Sequence, residues 1–499
     1  MSRSDRLVAL ALFVAGSCLG AALFLRAPPG AKPSIHDEFA YLLQAKMLAS
    51  GHLTYPSPPL PEFFEAAHVL VVPRYGAKYL PGHAAVLAPF VAAGVPWLGP
   101  SLLLGLTLAL AYLAARLAAL PRWAGLAAAG LLLGSSELDL TFGTYLSETT
   151  SVALVTAAIA AATWLRARPT PARTALLFAC AGAAALVRPF AGAALAVAAA
   201  FWLVGLRPRP WPRFAAAALL PMAATAFIAG AVCRTTTGSW TVTPWGLYAR
   251  QYMPFDGPGL GAPREQAAER RVPAHLAPMV EGFRASRARY TWTAFPQEVL
   301  RRGQIVEDLA PSLLVLPFVA LGVLCTPLVF ASVFTLVFFA FQLTFHAAFP
   351  FYYLETCPWL ALLGAAGAAL VVRKVDRLVP RWKTAAALIP VLLAGLQAGM
   401  EGASNVRYEL ARSAFARSAA ARCDAVFAWL GERRALVFLR YPPGWNANVD
   451  LGYNEPDLRR ADLVRALDLG PRNAELLGAF PERPAYRLDL ATLALTRLQ

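Results

Sequence analysis

Apolar runs of roughly 17 to 25 residues recur along this chain, and nothing else in it restricts the fold as strongly, because a helix of that length spans a bilayer. Hydrocarbon offers no partner to backbone N–H and C=O groups, so each run has to satisfy them within itself. Spans are expected at about 7–25, 101–119, 123–140, 149–165, 174–187, 190–206, 214–232, 311–324, 328–345, 352–372 and 384–400, about eleven crossings. The segment 83–98, "HAAVLAPFVAAGVPWL", is short and carries Pro89 and Pro96, which predicts a re-entrant or interfacial helix. Of the 499 residues 58% are hydrophobic and 15% charged, which excludes a soluble globular protein. The first run reads as an anchor, since it is longer than a signal core and "APPGAKP" is a poor cleavage site.

Charge between the runs sets the expected topology. The formal net charge is +16, and much of the basic excess sits in short connections such as "LPRW", "RARPTPAR", "RPRPWPR" and "RKVDRLVPRWK". With a cytoplasmic N-terminus these loops all fall inside, as the positive-inside rule requires. Their placement between apolar runs points to topology and lipid contact, not nucleic acid. The long polar segments 27–82, 233–310 and 401–499 then lie outside. The alternation of "ALVFLRYP" and "AYRLDL" with short helical patterns predicts a small extracytoplasmic α/β domain over 401–499, after a transmembrane domain over 1–400. The six cysteines are scattered without metal-ligand spacing and read as small core residues.

The residues that could carry chemistry gather in the first outer loop. Ser34 is a suitable N-cap for a helix over 35–50 with Gly51 as its stop, which puts Asp37, Tyr41 and Gln44 on one face. Asp37 and Glu38 could simply complement the positive helix end. Four of the six histidines, His36, His68, His83 and His52, lie in or at the end of this loop. Glu65 and His68, three apart, could hold a divalent ion on one helical face or hydrogen-bond each other. Arg74 and Lys78, with Tyr79 and His83, could steady a phosphate at the membrane surface or snorkel to headgroups. Arg188 stands between two apolar runs, a costly place for a cation without a partner or an anion. Glu137, Asp139 and Glu148 mark another outer turn. "TTTGSWTVTPWGLYARQY" mixes aromatic and basic residues in a pattern that suits sugar stacking and an interfacial belt equally well, whereas the aromatic pair of "HAAFPFYYLET" reads as belt.

With its first span followed by the outer-loop acids of "HDEFAYLLQAKMLASGHLTYP" and then by "KYLPGHAAVLAPFVAAG", the chain resembles the GT-C class of integral-membrane glycosyltransferases. That superfamily includes the dolichyl-phosphate-mannose protein mannosyltransferases and the lipid A aminoarabinose transferases. Similarity to uncharacterised bacterial members extends through "FEAAHVLVVPRYGAKYLPGH", "RPFAG", "TTTGSWTVTPWGLY", "RYPPGWN" and "LGYNEPDL". The resemblance implies a polyprenyl-phosphate-linked sugar as donor and a glycan, lipid or protein acceptor on the outer face of a bacterial inner membrane. It places the catalytic acid at Asp37, or at Glu38 in a register shifted by one. The lysine-proline pair of many relatives matches Lys78 and Pro81 only approximately, and a second acidic motif corresponds to Asp139 or Glu148. Transfer leaves a phosphate anion, so cations or a divalent metal must meet that charge. Lys78, Arg74 and Arg188 are the candidate cations, and Asp37 the base for the acceptor hydroxyl. Two rival readings make different demands. A flippase of lipid-linked sugars calls for mid-span charges and inverted repeats, and a non-catalytic assembly protein would tolerate Asp37→Asn.

Overall fold

In the computed structural model of the chain, the described residues are 2–25, 32–261, 266–378, 418–419, 421–428 and 434–498. The span expected at 384–400 lies outside them. The first half of the chain forms α1 (Arg3–Leu25), α2 (His36–Ala49), α3 (Gly82–Ala92), α4 (Leu98–Leu117), α5 (Arg122–Leu132), α6 (Ser136–Phe142), α7 (Glu148–Ala167), α8 (Pro171–Val187), α9 (Pro189–Leu206) and α10 (Trp211–Thr237). Then follow α11 (Pro244–Tyr252), α12 (Ala277–Arg289), α13 (Phe295–Asp308), α14 (Leu316–Gly322), α15 (Val329–Gln342), α16 (Cys357–Leu378) and α17 (Asn473–Ala479).

By length and composition, six helical segments among the described residues are long and apolar enough to cross a membrane: α1, α4, α7, α9, α10 and Pro350–Arg377. A seventh arises if Phe295–Asp308 and Leu313–Gly322, bent by 94°, count as one broken span. Pro171–Val187 and Thr326–Gln342 are apolar but shorter. The run expected at 123–140 breaks into α5 and α6. The expected short helix near 83–98 is α3, whose 11 residues cannot span about 30 Å of hydrocarbon. Gly94, at φ +74°, and Pro96 stop it.

The chain divides into two compact units. One comprises Met1–Phe24, Trp97–Ile228 and Trp292–Glu409, and the other Leu25–Pro96, Ala229–Thr291 and Leu410–Gln499. The linear division into 1–400 and 401–499 differs from this, because the C-terminal residues share a core with segments drawn from the first and central loops. Small residues let the helices of the first unit approach closely. A Cβ on Gly105 of α4 would stand 2.2 Å from the Phe13 carbonyl oxygen of α1, and one on Gly16 would stand 2.8 Å from the Gly105 Cα. Close backbone crossing of this kind stands in for the hydrophobic driving force that lipid does not supply.

The second unit carries two sheets. β2 (Val69–Leu70) and β1 (Tyr55–Pro56) both pair antiparallel with β3 (Arg74–Ala77). In the other sheet, β4 (Ala435–Arg440) lies parallel between β5 (Leu463–Leu467) and β6 (Ala485–Asp489), and β7 (Leu495–Arg497) closes β6 antiparallel. With α17, this gives the expected α/β character. One apolar core joins Ala40, Leu43 and Met47 of α2, Phe63 and Phe64, and Leu436, Phe438 and Val464 of the sheet. Phe63 and Phe438 meet edge to face with ring centroids 6.2 Å apart and are fully buried. Each such ring contributes about 1.5–3 kcal/mol by leaving water.

Candidate functional site

The two adjacent acids of the first loop do different work. Ser34 does not cap α2 by accepting a bond, as the sequence suggests; the N-cap is Ile35, at φ −134° and ψ 156°, and its side chain makes no capping bond. Glu38 instead reaches back. Its Oε1 accepts the Ser34 N–H at 2.9 Å, the Ser34 hydroxyl at 2.8 Å and the Ile35 N–H at 3.3 Å. A carboxylate is a stronger acceptor than a hydroxyl, so the acid captures the free donors and the serine becomes one of them. Glu38 is fully buried by this arrangement.

Asp37, one residue earlier, faces another way and keeps 29% of its side chain exposed. Tyr79 donates its hydroxyl to Asp37 Oδ1. Oδ2 lies 2.8 Å from His36 Nδ1 and 3.5 Å from His68 Nε2. The two imidazoles meet edge to face at 4.4 Å, and one ligand atom from each of His36, Asp37 and His68 lies within 4.8 Å of the others. His36 Nδ1 and both ring nitrogens of His68 are buried; Asp37 Oδ2 approaches the first and His68 Nε2, and His68 Nδ1 has no hydrogen-bond partner among the described residues. Two imidazoles and a carboxylate are a donor set suited to zinc or a similar divalent ion. Burial first, and the Lys78 charge second, push His68 down to about 3 against the pull of Asp37. Burial opposes ionisation of Asp37, but the adjacent imidazoles of His68 and His36 outweigh it and hold the acid well below the usual carboxylate range.

Lys78 completes this group. It is buried, its Nζ sits 5.2 Å from the Tyr79 ring centroid and 5.1 Å from that of Tyr248, and it forms no ion pair among the described residues. Burial lowers its pKa, and the charges of Asp37 and Asp256 act against that. Aromatic faces stabilise the ammonium while leaving its N–H donors for a ligand. The expected face of α2 is present: Tyr41 stacks on Tyr79 at 4.3 Å, and Gln44 donates to the Tyr79 carbonyl at 2.9 Å. His83 is fully buried at the start of α3, edge-on to Tyr41 at 4.9 Å. Arg74, on β3, is half-buried and donates to Thr54 Oγ1 at 3.1 Å.

Glu65 and His68 do not share a helical face. Glu65 is extended at φ −67° and ψ 124°, whereas His68 is left-handed at φ +62°, so the three-residue spacing does not bring their side chains together. Arg270 takes Glu65, through Nη2 at 2.6 Å and Nε at 2.8 Å. His68 finds Asp37 and His36 instead. His36, Tyr248, Asp450 and Tyr453 complete this neighbourhood. The cluster of histidines was the sequence signal for the first and the aromatic and basic central-loop motif for Tyr248, while Tyr453 lies in "LGYNEPDL", read only as similarity to relatives, and Asp450 stands just before it without a signal of its own.

Arg188, Glu148 and Asp139 belong to the other unit. Arg188 is the N-cap of α9 and lies between two buried carboxylates, Glu148 and Glu355, the latter 3.0 Å from its Nε. Ser151 donates to Glu355 Oε1 at 2.7 Å, and the guanidinium lies over the Tyr352 ring at 5.4 Å. The "YYLET" segment, read from sequence mainly as aromatic belt, thus supplies the Glu355 partner of the arginine. Asp139, on α6, has a buried Oδ1 without a hydrogen-bond partner among the described residues.

No protein-family model and no curated protein matches this sequence. Among solved structures, the chain is similar to ArnT from Cupriavidus metallidurans bound to undecaprenyl phosphate, at 13% identity and a TM-score of 0.54, over 96% of this chain and 92% of that one. The apo form of the same protein matches at 14% identity and 0.51 with the same coverage. The Archaeoglobus fulgidus oligosaccharyltransferase in complex with Zn and sulfate matches at 11% identity and 0.51, over 96% of this chain and 67% of that one. This chain carries the fold of both neighbours across nearly its whole length.

Proposed function

We propose that this protein is a membrane glycosyltransferase that moves a sugar from a polyprenyl-phosphate donor to a hydroxyl-bearing acceptor on the outer face of a bacterial inner membrane. The observation that carries the reading is the juxtaposition of an ionised acid, Asp37, with a buried Lys78 that has no ion-pair partner among the described residues, in one loop unit. A fold whose solved example binds undecaprenyl phosphate supports the donor class. The N-terminus is then cytoplasmic, and the unit holding Asp37 extracytoplasmic, in keeping with the basic short loops.

In the reaction the acceptor oxygen attacks the anomeric carbon as the bond from that carbon to the phosphate oxygen breaks, and the electron pair leaves with the polyprenyl phosphate. Lys78 is placed to meet the charge that develops there, with Arg74 nearby on the chain. The acceptor proton passes to Asp37. An acid held this far down is a weak base, so its main contribution is to orient the hydroxyl until proton loss comes late. Displacement in one step inverts the anomeric carbon. A divalent ion, held by His36, Asp37 and His68, would supply further positive charge for the leaving phosphate. The charge of Arg188 is already met by Glu148 and Glu355, which weakens its case as the phosphate cation, and Tyr79 orients Asp37 through its hydroxyl.

Mass spectrometry of envelope glycolipids, polysaccharide and glycoproteins tests this reading. A sugar missing from both a deletion strain and an Asp37→Asn strain is expected. Full restoration of that sugar by Asp37→Asn would overturn the catalytic assignment and favour a transport or assembly role.

A further inference from the structure

The catalytic loop is held from the far end of the chain. Asp450 is fully buried, and its Oδ2 accepts the Ala67 N–H at 2.8 Å. Its Oδ1 accepts the Tyr441 hydroxyl at 3.0 Å and the Gly452 N–H at 2.9 Å. Three residues on, the Tyr453 hydroxyl reaches two carbonyls, His36 O at 2.9 Å and Ala67 O, and shares its one proton between them. The Tyr453 ring stacks on Phe39 of α2 at 5.0 Å, which fixes the direction of the phenol. Two further bonds finish the job: the His68 N–H donates to the Tyr248 hydroxyl at 3.1 Å, and the His68 carbonyl accepts the Lys78 N–H at 3.0 Å.

Every backbone N–H and C=O of residues 67 and 68 is therefore engaged, just where His68 adopts φ +62°. A β-carbon-bearing residue in that region costs of order 1 kcal/mol and persists only where its surroundings over-determine it. Both histidines flanking Asp37 are tied at their own or the preceding carbonyl to one phenol. From this we propose that Asp450 and Tyr453 are positioning residues of the transfer site: the C-terminal segment sets where the His36 and His68 rings stand against Asp37. The inference rests on the transferase reading for its catalytic consequence, but the clamp itself can be measured without it.

The test uses full-length protein in detergent micelles and the same variants returned to the deletion strain. Tyr453→Phe removes one hydroxyl and leaves the ring in place. Hydrogen exchange followed by mass spectrometry should show amides 66–69 exchanging at least about tenfold faster, with the strands β4 and β6 unchanged. At matched protein level the envelope sugar should fall by about 10- to 100-fold, the range for residues that orient a ligand or catalytic group. Leu488→Val, in the buried centre of β6, is the control: it lowers the melting temperature without touching the clamp, and should leave both the 66–69 exchange and the sugar per folded protein unchanged. Asp450→Asn, which keeps an amide oxygen for the Ala67 N–H, should retain more of both than Asp450→Ala. Unchanged protection at 66–69 in Tyr453→Phe overturns the clamp, and full sugar transfer despite lost protection overturns its role in positioning. If Asp37→Asn keeps wild-type transfer while Tyr453→Phe loses protection, the transferase reading fails and the clamp stands as measured.

Discussion

Substituting the two adjacent acids should separate stability from activity. Glu38→Ala removes the acceptor of three donors, of which the Ser34 N–H and hydroxyl belong to a residue only 7% exposed. A buried donor left without a partner costs about 1–3 kcal/mol, and the partly accessible Ile35 N–H recovers a bond to water, so the loss should be about 2–4 kcal/mol. At about 2–4 °C per kcal/mol for a unit of this size, the melting temperature should drop by roughly 4–16 °C. Glu38→Gln keeps a carbonyl acceptor and loses only the assistance of charge, about 1 kcal/mol. Asp37→Asn preserves shape and can still accept the Tyr79 hydroxyl, so it should unfold within about 1 kcal/mol of wild type and yet lose the envelope sugar. Tryptophan-fluorescence melting of detergent-solubilised protein, run beside mass spectrometry of the envelope, reads both quantities. A folded, fully expressed Glu38→Gln protein that loses the sugar as completely as Asp37→Asn would refute the division of roles.

Lys78→Met should abolish sugar transfer while leaving the melting temperature level or raising it by the equivalent of about 1 kcal/mol, because it removes a buried cation that has no ion-pair partner among the described residues. A large destabilisation would show that the ammonium is structural. Arg188→Met leaves Glu148 and Glu355 buried without their cation and should cost about 3–5 kcal/mol, part of which Arg188→Met/Glu355→Gln should recover in the same melting assay. Isothermal titration with Zn²⁺ should detect a site that His36→Ala or His68→Ala weakens by at least about tenfold while Glu65→Ala leaves it alone. Asp450 has a folded pKa held below its ordinary value: burial raises it, but the His275 ring and the Ala67 and Gly452 N–H bonds outweigh burial. Its contribution is present above the ordinary carboxylate pKa and is lost as pH falls through the folded one, so melting temperature should drop more steeply on acidification in wild type than in Asp450→Asn.

The sequence by itself determined the membrane class, since runs of bilayer length admit little but helices, and it located the loop that carries the acids and most of the histidines. It also drew Tyr41 and Gln44 onto the face of α2 with Asp37, because helical spacing is a local property. It could not separate Asp37 from Glu38, since which acid turns back to the Ser34 donors depends on where α2 begins, and that is settled by competition between acceptors one residue apart. The Glu65–His68 pairing failed for a similar reason: spacing implies proximity only if the backbone is helical, and here it is extended and then left-handed. Most remote of all were Asp450 and Tyr453, whose partners are backbone groups some 380 residues earlier in the chain. A bond to a peptide N–H or carbonyl leaves no mark on the residue type at that position, so only the tertiary structure could show that the end of the chain holds the beginning of the site.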